Sequence, residues 1–302
     1  MALLLKSVIE GYDYIVNDLA DFRTKDWLMV KSPISVAALI VGYLMFVRHF
    51  GPKYMQNRKP FNIDKILIVY NAFQVVLCTY LCYKLFLPCY YGNILCEEVN
   101  ESDHSTEVAH TSYIYYWTKI IDLLDTVFFV LRKNTRQVSF LHLYHHSMMV
   151  TYVWYVMKFY PGGQFIYVGF INSFVHIIMY SYYLLTVYDR SVKKSFWWKK
   201  HITQLQLFQF FLYSILFLLP LTQKQCNFPK ALCMVVLPQV STLTFLFADF
   251  YYRNYICGKL KVTDGVQSVE EKQSSEHLKQ NGNITKEENM LNGTHGECIK
   301  QR

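Results

Sequence analysis

The sequence predicts an all-α integral membrane protein with seven transmembrane helices, on two observations. Of 302 residues, 53% are hydrophobic and only 17% charged, which is too few charges to cover a typical soluble surface. The apolar residues also gather into seven long stretches, at 32–50, 66–87, 113–132, 140–158, 163–186, 204–221 and 234–256. Most of these are near the ~20 residues that cross a bilayer. Lipid offers no hydrogen-bond partner to a backbone amide, so each stretch is expected to be a helix.

The elements follow in chain order. Residues 1–31 begin MALLLKSVIEGYDY, with neither a basic n-region ahead of a long apolar core nor a small-residue cleavage site, so no cleaved signal peptide is expected. Apolar and acidic positions alternate in VIEGYDYIVNDLADF, which fits an interfacial segment lying on the membrane surface. Residues 32–256 form the membrane domain. Beyond them the composition turns to Gln, Asn, Glu, Lys and Gly, and 257–302 is expected to be a disordered tail.

Orientation follows from the connections, because Lys and Arg collect on the cytosolic side. Arg48, Lys53, Arg58, Lys59 and Lys65 follow the first stretch; Arg132, Lys133 and Arg136 follow the third; Arg190, Lys193, Lys194, Lys199 and Lys200 follow the fifth. The connection after the second has no Lys or Arg but carries Glu97, Glu98, Glu101, Asp103 and Glu107. The amino terminus is therefore expected to be lumenal and the carboxyl terminus cytosolic. The net charge of +8 mostly reflects this asymmetry, and no soluble domain gathers it into a nucleic-acid footprint. Cys89, Cys96, Cys226 and Cys233 fall in or beside non-cytosolic loops, where one or two disulfides can form, with the pairing open. Cys78 and Cys82 read as packing residues. Asn100 begins a glycosylation sequon on the lumenal side, whereas those at Asn283 and Asn292 fall in the cytosolic tail.

Four stretches carry polar groups that are costly inside lipid and are therefore functional candidates. In TKIIDLLDTVFF, Lys119, Asp122 and Thr126 share a helical face, with Asp125 one step round. Two acids against one base leave a carboxylate that needs a partner from another helix. In FLHLYHHSMMV, His142, His145 and His146 form one imidazole stripe. Asn172, His176, Tyr180 and Tyr183 follow at i, i+4, i+8 and i+11, and Thr203, Gln206 and Gln209 at three-residue spacing. Such amides also serve simply as glue between helices. Counted from the cytosolic ends of their stretches, all four clusters fall in the cytosolic half of the membrane. A polar chamber open to the cytosol and an apolar pocket toward the lumen are expected.

Clustered histidines suit metal binding or acyl and proton transfer. His142, His145, His146, His176 and His201 are the histidines outside the tail, the acidic loop and the loop holding His49. They are too few for the di-iron set of a membrane desaturase or hydroxylase; a single zinc at His142 and His146 stays open. Acyl chemistry fits better. Imidazole can attack a thioester or act as a general base, while Lys119 and the amides can bind developing oxyanions. A basic mouth and an apolar tunnel together suit a long-chain acyl-CoA.

These motifs resemble those of the very-long-chain fatty acid elongases, the membrane 3-oxoacyl-CoA synthases. HLYHH is similar to the HxxHH box, HIIMYSYY to HxxMYxYY with Met179, Tyr180, Tyr182 and Tyr183, and TQLQLFQ to TxxQxxQ. KIIDLLDT matches KxxExxDT with Asp122 in place of Glu. The resemblance implies six helices in a barrel around an acyl tunnel, residence in the endoplasmic reticulum membrane, and condensation of a long-chain acyl-CoA with malonyl-CoA. That reaction loses carbon dioxide and CoA and gives a 3-oxoacyl-CoA two carbons longer. It further implies acyl transfer through His142 or His176, and catalytic duties for His145, His146, Lys119 and Asp125. Substrate contacts are expected at Asp122, Thr126, Asn172, Met179, Tyr180, Tyr183, Thr203, Gln206 and Gln209. No metal and no bound cofactor are expected. The partners implied are membrane lipids and the cycle's 3-oxoacyl-CoA reductase, dehydratase and enoyl reductase; a homodimer is left open. Gln137 leans toward longer or unsaturated acceptors. The carboxyl-terminal CIKQR is a partial match to a dilysine retrieval signal. A metal-dependent lipid hydroxylase or desaturase and a seven-span transporter or receptor are the competing readings.

Overall fold

The computed structural model describes residues 1–99, 103–189, 191–192 and 195–257. Asn100, the tail from 258 onward and Arg190, Lys193 and Lys194 lie outside the described residues. The chain divides into two compact units, Met1–Phe245 and Leu246–Arg302. Among the described residues all regular structure is helical. Among the described residues five helical stretches are long and apolar enough to cross a membrane: Pro33–Met55, Asp64–Tyr91, Phe165–Tyr188, Phe196–Thr222 and Lys230–Cys257. The protein is therefore an all-α, multi-span membrane protein.

Helix α1 covers Ala2–Asp13 and runs on through a π-helical turn to Asp18. Leu5, Ile9, Tyr12 and Ile15 are exposed along it. Helix α2 is Pro33–Met45, begun by Ser32, whose Oγ accepts from the Ile34 amide at 3.2 Å, and by Pro33, whose fixed φ suits a first turn. It continues through a π-helical turn at Phe46–Phe50 into α3, Gly51–Met55. Arg48, His49 and Lys53, expected in a loop, are thus helical. A sequence of mixed polarity can extend a helix past the lipid boundary, where hydropathy ends the span.

Helix α4 is Asp64–Tyr91, α5 Asp103–Ile121 and α6 Leu123–Leu131. The expected span 113–132 is thus two helices, and the first begins ten residues early, inside the acidic connection. At the break the Asp122 amide still bonds Thr118 O at 2.8 Å, but the Asp125 amide bonds Asp122 O at 3.2 Å, a tighter i→i−3 turn. Helix α7 is Phe140–Phe159, capped by Ser139, whose Oγ accepts from the His142 amide at 3.2 Å. Its histidines and Lys158 make it less apolar than the five stretches above. Helix α8 is Phe165–Tyr188 and α9 is Phe196–Thr222, starting two turns before the expected 204. Helix α10 is Lys230–Tyr251, followed by a π-helical turn at Tyr252–Cys257.

Packing follows from small residues and apolar faces. Helix α4 lies along α8, and a Cβ at Gly169 would meet Leu85 Cδ1 at 3.1 Å, so the missing side chain permits the approach. Val36, Tyr43, Val47, Leu81, Tyr116 and Val150 belong to one buried core joining α2, α4, α5 and α7.

Two polar constructions fix the ends. Residues 21–31 fold onto α5 and α7. Thr24 Oγ1 donates to Met157 O, Trp154 Nε1 to Val30 O at 3.1 Å and Tyr116 OH to Met29 O at 3.2 Å. Lys158, fully buried, donates to Lys25 O at 3.2 Å and Lys31 O at 3.0 Å. Elsewhere Cys96 and Cys226 form a disulfide, while Cys89 and Cys233 are free thiols. Beside that bridge Gln164 Nε2 donates to Ile94 O and Leu216 O, both at 2.9 Å, and its Oε1 accepts from the Glu97 amide at 3.0 Å.

Candidate active site

The break between α5 and α6 organises a buried polar centre. Lys119, 4% exposed, donates to Asp122 Oδ2 at 3.0 Å and to Asn172 Oδ1 at 2.8 Å. Asp122 Oδ1 accepts from Gln74 Nε2 at 2.6 Å and from the Tyr180 hydroxyl at 2.9 Å. Asn172 also accepts from Tyr115 OH at 3.0 Å, and its Nδ2 reaches Gln209 Oε1 at 3.4 Å. The Lys119–Asp122 pair expected from i, i+3 spacing is present, helices α4 and α8 supply its further partners, and α9 reaches it only through Asn172. A buried ion pair is stable only when its remaining hydrogens and lone pairs are matched, and here each ion has a second polar partner.

Asp125 and Thr126, just past the tight turn, face different groups. Asp125 Oδ2 lies 2.9 Å from the Tyr180 hydroxyl. Thr126 Oγ1 lies 2.8 Å from His142 Nε2 and 2.7 Å from Tyr43 OH. A hydrogen bond at Nε2 fixes the orientation of the His142 ring. The His142 and His146 ring centres are 4.2 Å apart, and those of His145 and His146 5.4 Å, so the histidine stripe on α7 is continuous.

His176, on α8, is 8% exposed. Its Nδ1 is buried without a hydrogen-bond partner, at 3.8 Å from Asp122 Oδ2. A proton on Nδ1 would point at that carboxylate and leave Nε2 as the lone pair, the orientation a nucleophile or general base needs. The Tyr180 and Tyr183 rings pack at 5.9 Å, and Gln206 Nε2 approaches Met179 Sδ at 3.7 Å. Thr203 stands apart from the network: its hydroxyl donates to Lys199 O, four residues back in its own helix, at 3.0 Å.

Tyr43, Tyr70, Gln74 and Tyr115 escaped the sequence reading. A phenol or an amide in an apolar stretch is commonly a packing group, and only the partners brought by other helices show these four to be more. A signal existed in the second stretch, where Tyr70, Asn71 and Gln74 fall within one helical turn and all are buried. Tyr115 also links the centre to an apolar cavity of about 90 Å³ between α5, α7, α8, α9 and α10, lined among others by Met149, Val153, Phe165, Phe210 and Phe217. Its ring lies 4.9 Å from Lys119 Nζ. Among the described residues no three His, Cys, Asp or Glu side chains converge as a metal-ligand set.

Fold and site together define a membrane protein whose buried ionic and imidazole centre adjoins an apolar cavity. The match to the ELO family, GNS1/SUR4, covers residues 28–263. A very long chain fatty acid elongase of Aedes aegypti is 39% identical over 266 residues, 84% of this chain and 72% of the relative. Very long chain fatty acid elongase 7 of Drosophila melanogaster is 38% identical, over 82% of this chain and 76% of the relative. Very long chain fatty acid elongase 4 of Homo sapiens is 38% identical, over 83% and 80%. The chain belongs to the ELO, GNS1/SUR4, family.

Proposed function

We propose that this chain is the condensing acyltransferase of fatty acid elongation, joining an acyl-CoA to malonyl-CoA with loss of carbon dioxide and CoA. Family membership favours this activity over the hydroxylase and transporter readings. The observation that carries the mechanism is the convergence of Lys119, Asp122, Asn172, His176 and Tyr180 beside the apolar cavity. The cavity accepts the alkyl tail, and the polar centre holds the thioester and malonyl groups.

In this reading His142 or His176 takes the acyl group from sulfur, with His145 and His146 handling protons. Decarboxylation of malonyl-CoA supplies the carbanion that displaces the imidazole. Lys119 holds Asp122 against His176 and binds the oxyanionic groups, Asp125 positions the centre through Tyr180, and Thr126, Met179, Tyr183, Thr203, Gln206 and Gln209 line the substrate path. Such preorganised donors stabilise charge most where water is excluded. The chemistry needs no metal or bound cofactor. Seven helices, six of them ringed around the tunnel, span the endoplasmic reticulum membrane with a lumenal amino terminus and a cytosolic carboxyl terminus. The reductases and dehydratase of the cycle take up the product, and a homodimer is compatible with this arrangement.

Purified protein given labelled malonyl-CoA and a panel of acyl-CoAs should release CoA and form 3-oxoacyl-CoA. His142→Ala should lower that rate by about 1,000-fold or more while eluting as wild type on gel filtration. Full activity in that variant would sink the role of His142, and no CoA release by wild type with any acceptor would sink the activity.

A further inference from the structure

Tyr180 stands between two carboxyl groups. Its oxygen is 2.9 Å from Asp122 Oδ1 and 2.9 Å from Asp125 Oδ2. A phenol carries one hydrogen and can donate to only one of them. The other contact brings two oxygens to hydrogen-bond distance and needs a second hydrogen between them. Gln74 Nε2 lies 2.6 Å from Asp122 Oδ1 and 3.3 Å from the hydroxyl oxygens of both Tyr70 and Tyr180, so its hydrogens serve those atoms and none bridges Tyr180 to Asp125.

The surroundings decide which carboxyl carries the extra hydrogen. Asp122 has Lys119 at 3.0 Å, so its negative charge is matched. Asp125 has no such partner: among the described residues no cation lies within ion-pair distance of it. The groups around it are Asp122 on its own segment, Lys119 on α5, Tyr70 on α4 and Tyr180 on α8, with His176 on the far side of Asp122. Tyr43 on α2 and His142 on α7 stand beyond Thr126. Lys119 is already committed to Asp122 and Asn172. A carboxylate facing phenols and a second carboxylate would be an unmatched charge, which is disfavoured away from bulk water.

We infer that Asp125 is a neutral carboxylic acid in the resting enzyme, donating its hydrogen to Tyr180 while Tyr180 donates to Asp122. The hydrogen bonds then run in one direction, Asp125 to Tyr180 to Asp122, and the ion pair Lys119–Asp122 leaves the centre without an unmatched negative charge. This deepens the elongase reading, because a malonyl group brings its own carboxylate and would be repelled by an ionised Asp125. Asp125 is in this account a positioning residue, acting through Tyr180.

The test is the infrared spectrum of the purified full-length protein at neutral pH. Wild type should show a carbonyl stretch of a protonated carboxyl group that is missing from Asp125→Asn. Superimposable spectra in that region would overturn the inference. This readout needs no turnover, so it stands whether or not the elongase assay succeeds. Activity adds a second arm. Asp125→Ala removes the donor, whereas Asp125→Asn keeps a donor but cannot ionise, so kcat/KM should be about tenfold higher in Asp125→Asn than in Asp125→Ala. Equal loss in the two variants would mean that a negative charge is required at this position, and would equally overturn it.

Discussion

Among the described residues two lysines are buried in apolar helices, and they do opposite things. Lys119 is 4% exposed and Lys158 fully buried, so hydropathy and burial do not separate them. Their partners do. Lys119 faces a carboxylate and an amide side chain, Asp122 and Asn172, which in turn bind Gln74, Tyr115 and Tyr180. Lys158 faces two main-chain carbonyls, of Lys25 and Lys31. A cation bonded to main chain fixes the path of a segment. A cation bonded to side chains sets the charge and orientation of other reactive groups, and a buried polar residue is best classified by that difference.

The largest effect that can break this comparison is expected at Lys119. Lys119→Met leaves Asp122 buried without its counterion, a change that costs about 3–5 kcal/mol when one partner of a buried pair is removed. The expected outcome is a kcat/KM lower by about 100-fold or more, read from CoA release, together with a lowered Tm. Adding Asp122→Asn should restore much of the Tm and none of the rate. A Lys119→Met enzyme of near wild-type rate would remove Lys119 from the chemistry.

Lys158→Met is expected to act on stability alone. Two carbonyls lose a charged donor, a loss of about 1–3 kcal/mol that a thermal melt in detergent would record. The folded fraction should keep kcat/KM within about twofold of wild type, since those bonds lie on the path of residues 25–31. A rate loss like that of Lys119→Met would erase the distinction between the two lysines.

Tyr43→Phe is the smallest and the finest probe. It deletes the hydroxyl that meets Thr126 at 2.7 Å but leaves Thr126 on His142 Nε2. A loss of about three- to tenfold in single-turnover rate is expected, with no change in Tm beyond about 1 kcal/mol of stability. An unaltered rate would confine the role of Tyr43 to packing.

Much of the candidate site was legible because charge in an apolar run is conspicuous. Lys119, Asp122, His142 and His176 announce themselves against Leu, Ile and Phe, and helical periodicity alone pairs Lys119 with Asp122. The rest was not legible for stated reasons. Tyr70, Gln74 and Tyr115 are common in apolar stretches, and only their position against α5 and α8 shows what they hold. Thr203 sits at a suggestive spacing, yet its hydroxyl finds a carbonyl in its own helix, a choice any helical threonine has. The break at Asp122 left no trace in hydropathy, because a tightened turn alters hydrogen-bond register and not composition.

The sequence by itself determined the class of structure and the type of chemistry. A chain this apolar must satisfy its backbone within helices, and its reactive groups are confined to a few helical faces by a fixed period of 3.6 residues. Only the tertiary structure decided which groups meet. It paired Cys96 with Cys226, folded residues 21–31 onto Lys158, and set Tyr180 between Asp122 and Asp125. Contacts between helices depend on how neighbouring surfaces rotate and approach, which the sequence of one helix does not contain.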